Sequence, residues 1–356
     1  MNRHWTRGSS RPIRLAIDIL GGDAAPSTLV RGALDAIATP RAPGARSAGK
    51  CAVKLIFFGD AAAVAPSLAG TPHEVVDAPR CVVVDDPLRG SLRGDIESSM
   101  RSAVRTLAAG DADALVSAGS TGALVALSRH LLGTLPGIRR PAIMKTLGGA
   151  DGRRFRMLDL GANIGSSPEQ LHQFALLGTA ATGVSAEHGR GANRDDVPAP
   201  CVGLLNIGSE VRKGPATVRE AARLFESDDR LRYAGFVEPH RLFDAATDVV
   251  VADGFAGNIA LKAAEGAAQM ARYVLGRELS GNSPAVALGR AMLRGRLGRV
   301  RDAYNPQLYN GASLLGIAGV VVKSHGGANR QGFENAVRQA VDALTTGLVE
   351  RLAAGI

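Results

Sequence analysis

Short apolar runs that stop abruptly at small or polar residues recur along this chain. Ile13–Asp18 ends in Leu20-Gly21-Gly22-Asp23, Val53–Phe58 in Gly59-Asp60, and Ala114–Ser117 in Ala118-Gly119-Ser120-Thr121-Gly122. Met157–Leu160 ends in Gly161-Ala162-Asn163, Val202–Leu205 in Asn206-Ile207-Gly208, Val249–Val251 in Asp253-Gly254, and Val320–Lys323 in Ser324-His325-Gly326. Unbroken apolar runs of this length suit strands buried on both faces, as in a parallel sheet. Helical stripes alternate with them. Leu29, Val30, Ala33, Leu34 and Ile37 follow the start signals Pro26 and Ser27. Met100, Val104 and Leu107 open at Ser98-Ser99 and close at Gly110, and Phe333, Val337, Ala340, Val341, Leu344 and Leu348 form a stripe near the C-terminus. The alternation predicts an α/β protein with a mostly parallel sheet, and a length of 356 residues permits one large domain or two. In such folds ligands gather at the carboxyl ends of strands, where this chain concentrates its Gly, Ser, Asp, Asn and His.

Three stretches depart from the pattern. Residues 1–12 hold several arginines but no apolar segment, and read as a flexible leader. Residues 184–200 read as an exposed polar loop. Residues 266–303 read as two basic helical segments interrupted by Ser280-Gly281-Asn282-Ser283-Pro284. In the second segment Val286, Leu288, Met292, Leu293 and Leu297 alternate with Arg290, Arg294, Arg296 and Arg299, which suits a dimer contact, a solvated hairpin or an anionic lipid surface equally.

Composition narrows the function classes. The net charge of +9 comes almost wholly from arginine, since only six lysines are present. It fits either a base-composition bias or attraction to an acidic partner. Aromatics are 4% and none is interleaved with a basic stretch, which disfavours nucleic acid. Cys51, Cys81 and Cys201 are too few and too scattered for a disulfide framework or a metal site, and imply a reducing, cytoplasmic setting. Cys81 and Cys201 open apolar runs and are expected to be buried. No apolar run of about 18 residues is available to span a membrane.

Several strand-end loops could bind an anion. Gly119-Ser120-Thr121-Gly122 joins a strand to an apolar helix, so its backbone N–H groups and hydroxyls could cradle a phosphate; small residues also close ordinary turns of this kind. Neither a GxxxxGK[ST] nor a GxGxxG stands after a strand, and no HExxH or GxSxG is present. Nucleotide cofactors, metals and a covalent serine are therefore not expected. Lys213-Gly214 places a cation near a strand end, with solvated surface as its alternative reading. Asn258, in Asp253-Gly254-Phe255-Ala256-Gly257-Asn258, could stabilise an oxyanion or cap a helix, and His325 is the one histidine in a strand-end loop with a cation, Lys323, nearby.

Taken together these loops resemble the PlsX family, the phosphate acyltransferases (acyl-ACP:phosphate transacylases). The matching segments are AIDILGGDAAP (16–26), SSMR (98–101), VSAGSTGALVA (116–126), LPGIRRPAI (135–143) and LDLGANIGSSPEQLHQFALLG (158–178). They continue with VGLLNIGSEVRKG (202–214), DVVVADGFAGNIALKAAEG (248–266) and YNPQLYNGASLLGIAGVVVKSHGGAN (304–329). The resemblance implies a cofactor-independent transfer of a fatty acyl group from an acyl-carrier-protein thioester to inorganic phosphate, giving acyl phosphate for phospholipid synthesis. It also implies a three-layer α/β/α fold in a single domain over residues 13–356, with a protruding basic helical pair at about 266–303, a homodimer and peripheral contact with a membrane. Lys213, Asn258 and His325 become candidate catalytic residues on this resemblance. Asp18, Gly21, Gly22, Asp23, Ser117, Gly119, Ser120, Thr121, Asn163, Asp253 and Lys323 become candidate phosphate- or substrate-binding residues. Leu20 stands where the family has Met, Ala24 where a larger or charged residue is common, Ser120 where it has Asn, and Gly165 where it has Asp. The rival readings are a coenzyme A-dependent phosphotransacylase and a non-catalytic scaffold of lipid synthesis.

Overall fold

The computed structural model describes residues 11–38, 52–81, 97–183, 199–280, 283–303 and 305–356. Eleven strands form one sheet: β1 (Ile13–Asp18), β2 (Val53–Gly59), β3 (Glu74–Asp77), β4 (Ala114–Ser117), β5 (Ala142–Gly148), β6 (Arg154–Leu158), β7 (Cys201–Leu205), β8 (Arg232–Val237), β9 (Val249–Val251), β10 (Ala312–Leu315) and β11 (Val320–Lys323). Their order is β3-β2-β1-β4-β11-β10-β5-β6-β9-β7-β8. All pairs are parallel except β11 with β10, β10 with β5 and β5 with β6. All seven apolar runs became strands, with Met157–Leu160 replaced by Arg154–Leu158. β3, β5, β8 and β10 carry weaker apolar signals, which the run pattern does not predict.

The helices are α1 (Pro26–Ala38), α2 (Ala61–Leu68), α3 (Ser99–Ala108), α4 (Thr121–Leu131), α5 (Pro168–Thr182), α6 (Ala216–Glu226), α7 (Gly254–Glu278), α8 (Pro284–Ala303), α9 (Arg330–Thr345) and α10 (Leu348–Ala354). Strand residues alternate between two cores, one on each sheet face. Leu15 and Ile17 belong to the same core as Leu29, Phe174, Phe225 and Phe333, whereas Ala16 belongs to the other, with Met100, Leu124 and Phe155. This is the expected three-layer α/β/α arrangement, and its central strands are buried on both sides.

Local chemistry sets the helix ends. The Ser98 side chain accepts from Arg101 N–H at the start of α3, and Ser167 with Gln170 forms a capping box at α5. The C-terminal stripe is two helices instead of one, because Gly347 adopts φ +65° between α9 and α10. Arg11, assigned to the leader by sequence, is tied to buried Asp113 at 2.6 and 2.8 Å. Residues 1–10 and the 184–198 part of the polar loop lie outside the described residues. The expectation of buried cysteines fails: Cys81 is exposed and Cys201 half-buried, because each stands at the mouth of its run. The basic protrusion consists of the outer part of α7 and all of α8, with Pro284 opening α8. No helix among the described residues is long and apolar enough to cross a membrane.

Candidate active site

Three strand-end loops close together at one side of a central cleft. Gly21 and Gly22 follow β1, Ala118 and Gly119 follow β4, and Gly326 follows β11. A Cβ on Gly21 would lie 3.1 Å from Gly119 Cα, and one on Gly22 would lie 3.0 Å from Ala118 Cβ and 3.1 Å from the Gly326 carbonyl oxygen. These glycines permit close approach of backbones, which side chains would prop apart. Asp18, fully enclosed, accepts hydrogen bonds from Ser117 Oγ at 2.6 Å and Ser99 Oγ at 2.7 Å. Burial raises its pKa, against the lowering effect of those hydroxyls and of Lys323. Asp18 and Ser117 thus act as a brace beneath the loops, and Asp23 joins it through its N–H to Gly326 O at 3.0 Å.

A second brace stands across the cleft. Asp159, also fully enclosed, accepts from the backbone N–H groups of Ile143 (2.9 Å), Ala162 (3.0 Å) and Asn163 (2.7 Å), and from Asn163 Nδ2 (2.9 Å). Asn163 also donates to Pro141 O at 2.7 Å, so its side chain is consumed in the brace. Asp253 is likewise structural: one oxygen accepts from Phe255 N–H and caps α7, and the other accepts from Ser166 N–H at 2.7 Å. The capping role left open for Asn258 therefore belongs to Asp253. Gly254 and Gly257 let the first turn of α7 lie against the backbone of Asn163 and Asp159, with no room for a Cβ at either position. That contact sets Asn258 beside Gly161, where a Cβ would stand 3.4 Å from Asn258 Nδ2.

Between the braces lies a polar pocket of about 330 Å³, and Thr121, Lys145, Asn258, Lys262, Lys323 and His325 line it. Thr121 opens α4, whose first N–H groups have no intrahelical partner and add positive potential. Lys323 donates to Ala118 O at 3.3 Å and to Ser324 O. Burial lowers its pKa to about 8, opposed by the charges of Asp18 and Asp23. Lys145 pairs with Glu265 at 3.0 Å. His325 Nδ1 accepts from Gly327 N–H at 3.0 Å, which leaves Nε2 to carry the proton in the neutral ring. Burial lowers its pKa and the three lysines lower it further, while Glu265 raises it. Asn310 fixes this loop by donating to Ser324 Oγ and Gly332 O at 2.8 Å each and accepting from His325 N–H at 2.9 Å.

The pocket opens into an apolar groove of about 700 Å³ that runs along α7, with Lys145, Leu261, Glu265, Asn310 and His325 shared between the two. Of the sequence candidates, Thr121, Asn258, Lys323 and His325 meet at the pocket. Ser120 stands at the α4 N-cap without a side-chain cap bond. Lys213 is exposed in the loop after β7, adjacent to β9 in the sheet, and is not among the lining residues. Gly165 has φ +71° and open space around it, so the departure at this position does not alter the pocket lining. Lys145, Lys262, Glu265, Asn310 and Asp159 escaped the sequence reading. The lysines had left a signal: three of only six in a chain with 42 basic residues converge here.

A cation-lined pocket with a histidine and an amide, at the carboxyl edge of an α/β sheet, has the chemistry to hold an anion. The family described as "Fatty acid synthesis protein" matches residues 13–351. Phosphate acyltransferase of Janthinobacterium sp. (strain Marseille) is 41% identical over 353 residues, covering 97% of this chain and 92% of that one. Phosphate acyltransferase of Granulibacter bethesdensis is 41% identical over 361 residues, covering 99% and 91%. Among solved structures, EutD phosphotransacetylase from Staphylococcus aureus has a TM-score of 0.53 at 17% identity, and a phosphotransacetylase from Streptococcus pyogenes has 0.53 at 16%, each covering 94% of both chains. These two show the shared α/β fold. The chain belongs to the PlsX family of phosphate acyltransferases, and is an enzyme of the acyltransferase class.

Proposed function

We propose that this enzyme transfers a fatty acyl group from an acyl-carrier-protein thioester to inorganic phosphate, supplying acyl phosphate for phospholipid synthesis. The observation that carries the reading is the convergence of Lys145, Lys262 and Lys323 with Thr121, Asn258 and His325 on one pocket. Three ammonium groups and a helix N-terminus offset the charge of a phosphate dianion and hold it beside the thioester carbonyl. A phosphate oxygen attacks the carbonyl carbon and forms the new C–O bond. Asn258 Nδ2 and His325 Nε2–H then donate to the developing oxyanion, and being neutral they need no proton transfer to do so. Collapse breaks the C–S bond, and the proton carried by the hydrogen phosphate goes to the departing thiolate. The thiol is a good leaving group, so no strong general acid is needed.

Exposed features support the carrier as donor. Ile207 and Val211 are largely uncovered on the loop that bears Arg212 and Lys213, a basic surface with apolar anchors of the kind an acidic carrier would meet. In this reading Lys213 receives the incoming donor or phosphate at the neighbouring strand end. Exposed Met270, Tyr273, Leu288 and Met292, interspersed with arginines on α7 and α8, support the expectations of a homodimer and of contact with an anionic membrane. The test is acyl phosphate formation by the purified enzyme from palmitoyl-carrier protein and phosphate, without added metal or nucleotide. Turnover that is much faster than with palmitoyl-coenzyme A is expected. Preference for coenzyme A would replace the donor, and inactivity with both would overturn the reading.

A further inference from the structure

The groove that leads away from the lysines is built like a ruler. Leu261, Ala264, Glu265, Ala268, Gln269 and Arg272 line it from α7, a spacing of three, one, three, one and three that marks a single helix face. The eleven steps from Leu261 to Arg272 at about 1.5 Å rise span about 16 Å, the reach of an extended acyl tail of roughly a dozen carbons. Of these positions only Leu261 and Glu265, near the start of the face, also line the polar pocket, beside Asn258 and Lys262. The later positions touch the groove alone. Distance along α7 is therefore distance from the reacting carbonyl.

The opposite wall is apolar. Leu147 is buried, Phe243 packs edge-on against Phe155 with ring centroids 6.0 Å apart, and Tyr309 lies close over Gly148. Its outer face is held under the Arg154 guanidinium, 5.8 Å from the ring centroid. Width on the α7 side comes from two alanines one turn apart, Ala264 and Ala268, where larger side chains would enter the groove.

We infer that this groove binds the acyl chain of the substrate, and that Ala264 and Ala268 set how long a chain is accepted, with Phe243 and Tyr309 as the facing wall. The inference deepens the proposed acyl transfer and rests on it for the identity of the reacting end. The occupant is a hydrocarbon tail, because the groove is mostly apolar, elongated along α7 and continuous with the anion pocket. Each methylene excluded from such a site costs about 10-fold or more in specificity.

The experiment measures kcat/KM with carrier-protein thioesters of four to eighteen carbons for the wild type, Ala264→Phe and Ala268→Phe, beside direct binding of parinaric acid, a fluorescent eighteen-carbon fatty acid. Ala264→Phe is expected to lose about 100-fold with the longest donors and less than 2-fold with the shortest. Ala268→Phe, one turn further from the lysines, should tolerate chains several carbons longer before the same loss. Both should weaken parinaric acid, with thermal midpoints near that of the wild type. Equal losses at every chain length, an unchanged profile in both variants, or no parinaric acid binding by the wild type would overturn the groove. Parinaric acid binding that Ala264→Phe abolishes, in a protein that turns over no donor, would keep the groove and remove the acyl-transfer reading.

Discussion

The floor and the wall of the pocket are made in opposite ways. The floor consists of β5 and the strand-end loops after β1, β4, β6 and β11, locked by Asp18 on one side and Asp159 on the other. The wall is one helix, α7, anchored by its first turn through Gly254 and Gly257 and exposed beyond it. Even the two braces differ. Asp18 is held by two side-chain hydroxyls, whereas Asp159 gathers backbone N–H groups from both β5 and the loop after β6. Residues of the floor therefore carry fold and function together, while those of the wall can change chemistry and specificity with little effect on folding.

Substitutions can break this contrast. Asp159→Ala should be the most damaging, since several buried N–H groups lose their acceptor at about 1–3 kcal/mol each, for a total of about 3–5 kcal/mol. Urea or thermal unfolding measures it, and a loss under 1 kcal/mol would show that the brace is not structural. Asn258→Ala, on the wall, should lower kcat about 100-fold, equivalent to about 2.7 kcal/mol, with stability almost unchanged. A fall in stability matching the fall in rate would erase the distinction between wall and floor.

Lys323→Met sharpens it from the floor side. With a pKa near 8, the wild-type ammonium is present below that pH and lost as pH rises through it. The kcat/KM for phosphate should therefore decline above about pH 8. The methionine variant should start roughly 10-fold lower at pH 7 and lack that limb. Its stability should be equal or higher at neutral pH, because a desolvated cation has been removed. Lys213→Ala tests the exposed loop that neither region includes. We expect a rise of a few-fold in KM for phosphate or carrier donor, with unfolding unchanged, and unaltered kinetics would exclude it from the reaction.

Much of the architecture was legible because burial on both faces writes itself as unbroken apolar runs. β1, β4, β9 and β11 kept the boundaries read from sequence. β5 was missed because the run Ala142-Ile143-Met144 stops at Lys145, and that polar interruption is the very group that faces the pocket. Among site residues, Thr121, Asn258, Lys323 and His325 were legible as strand-end or helix-start groups. Asn163 and Asp253 carried the same signal, yet serve the braces. A loop sequence marks a polar turn without saying whether its side chains turn inward to backbone or outward to a ligand.

The sequence by itself determined the alternation of strands and helices, the glycine-rich strand ends and the scarcity of lysine, all of which are properties of neighbouring residues. The tertiary structure decided which of those ends meet. β11 inserts beside β4, some two hundred residues earlier in the chain, and the anchored first turn of α7 fixes the phase that turns Asn258 and Lys262 toward Lys323 and Ala264 toward the groove. Strand order and helix phase depend on packing across the whole sheet, so no local pattern records them.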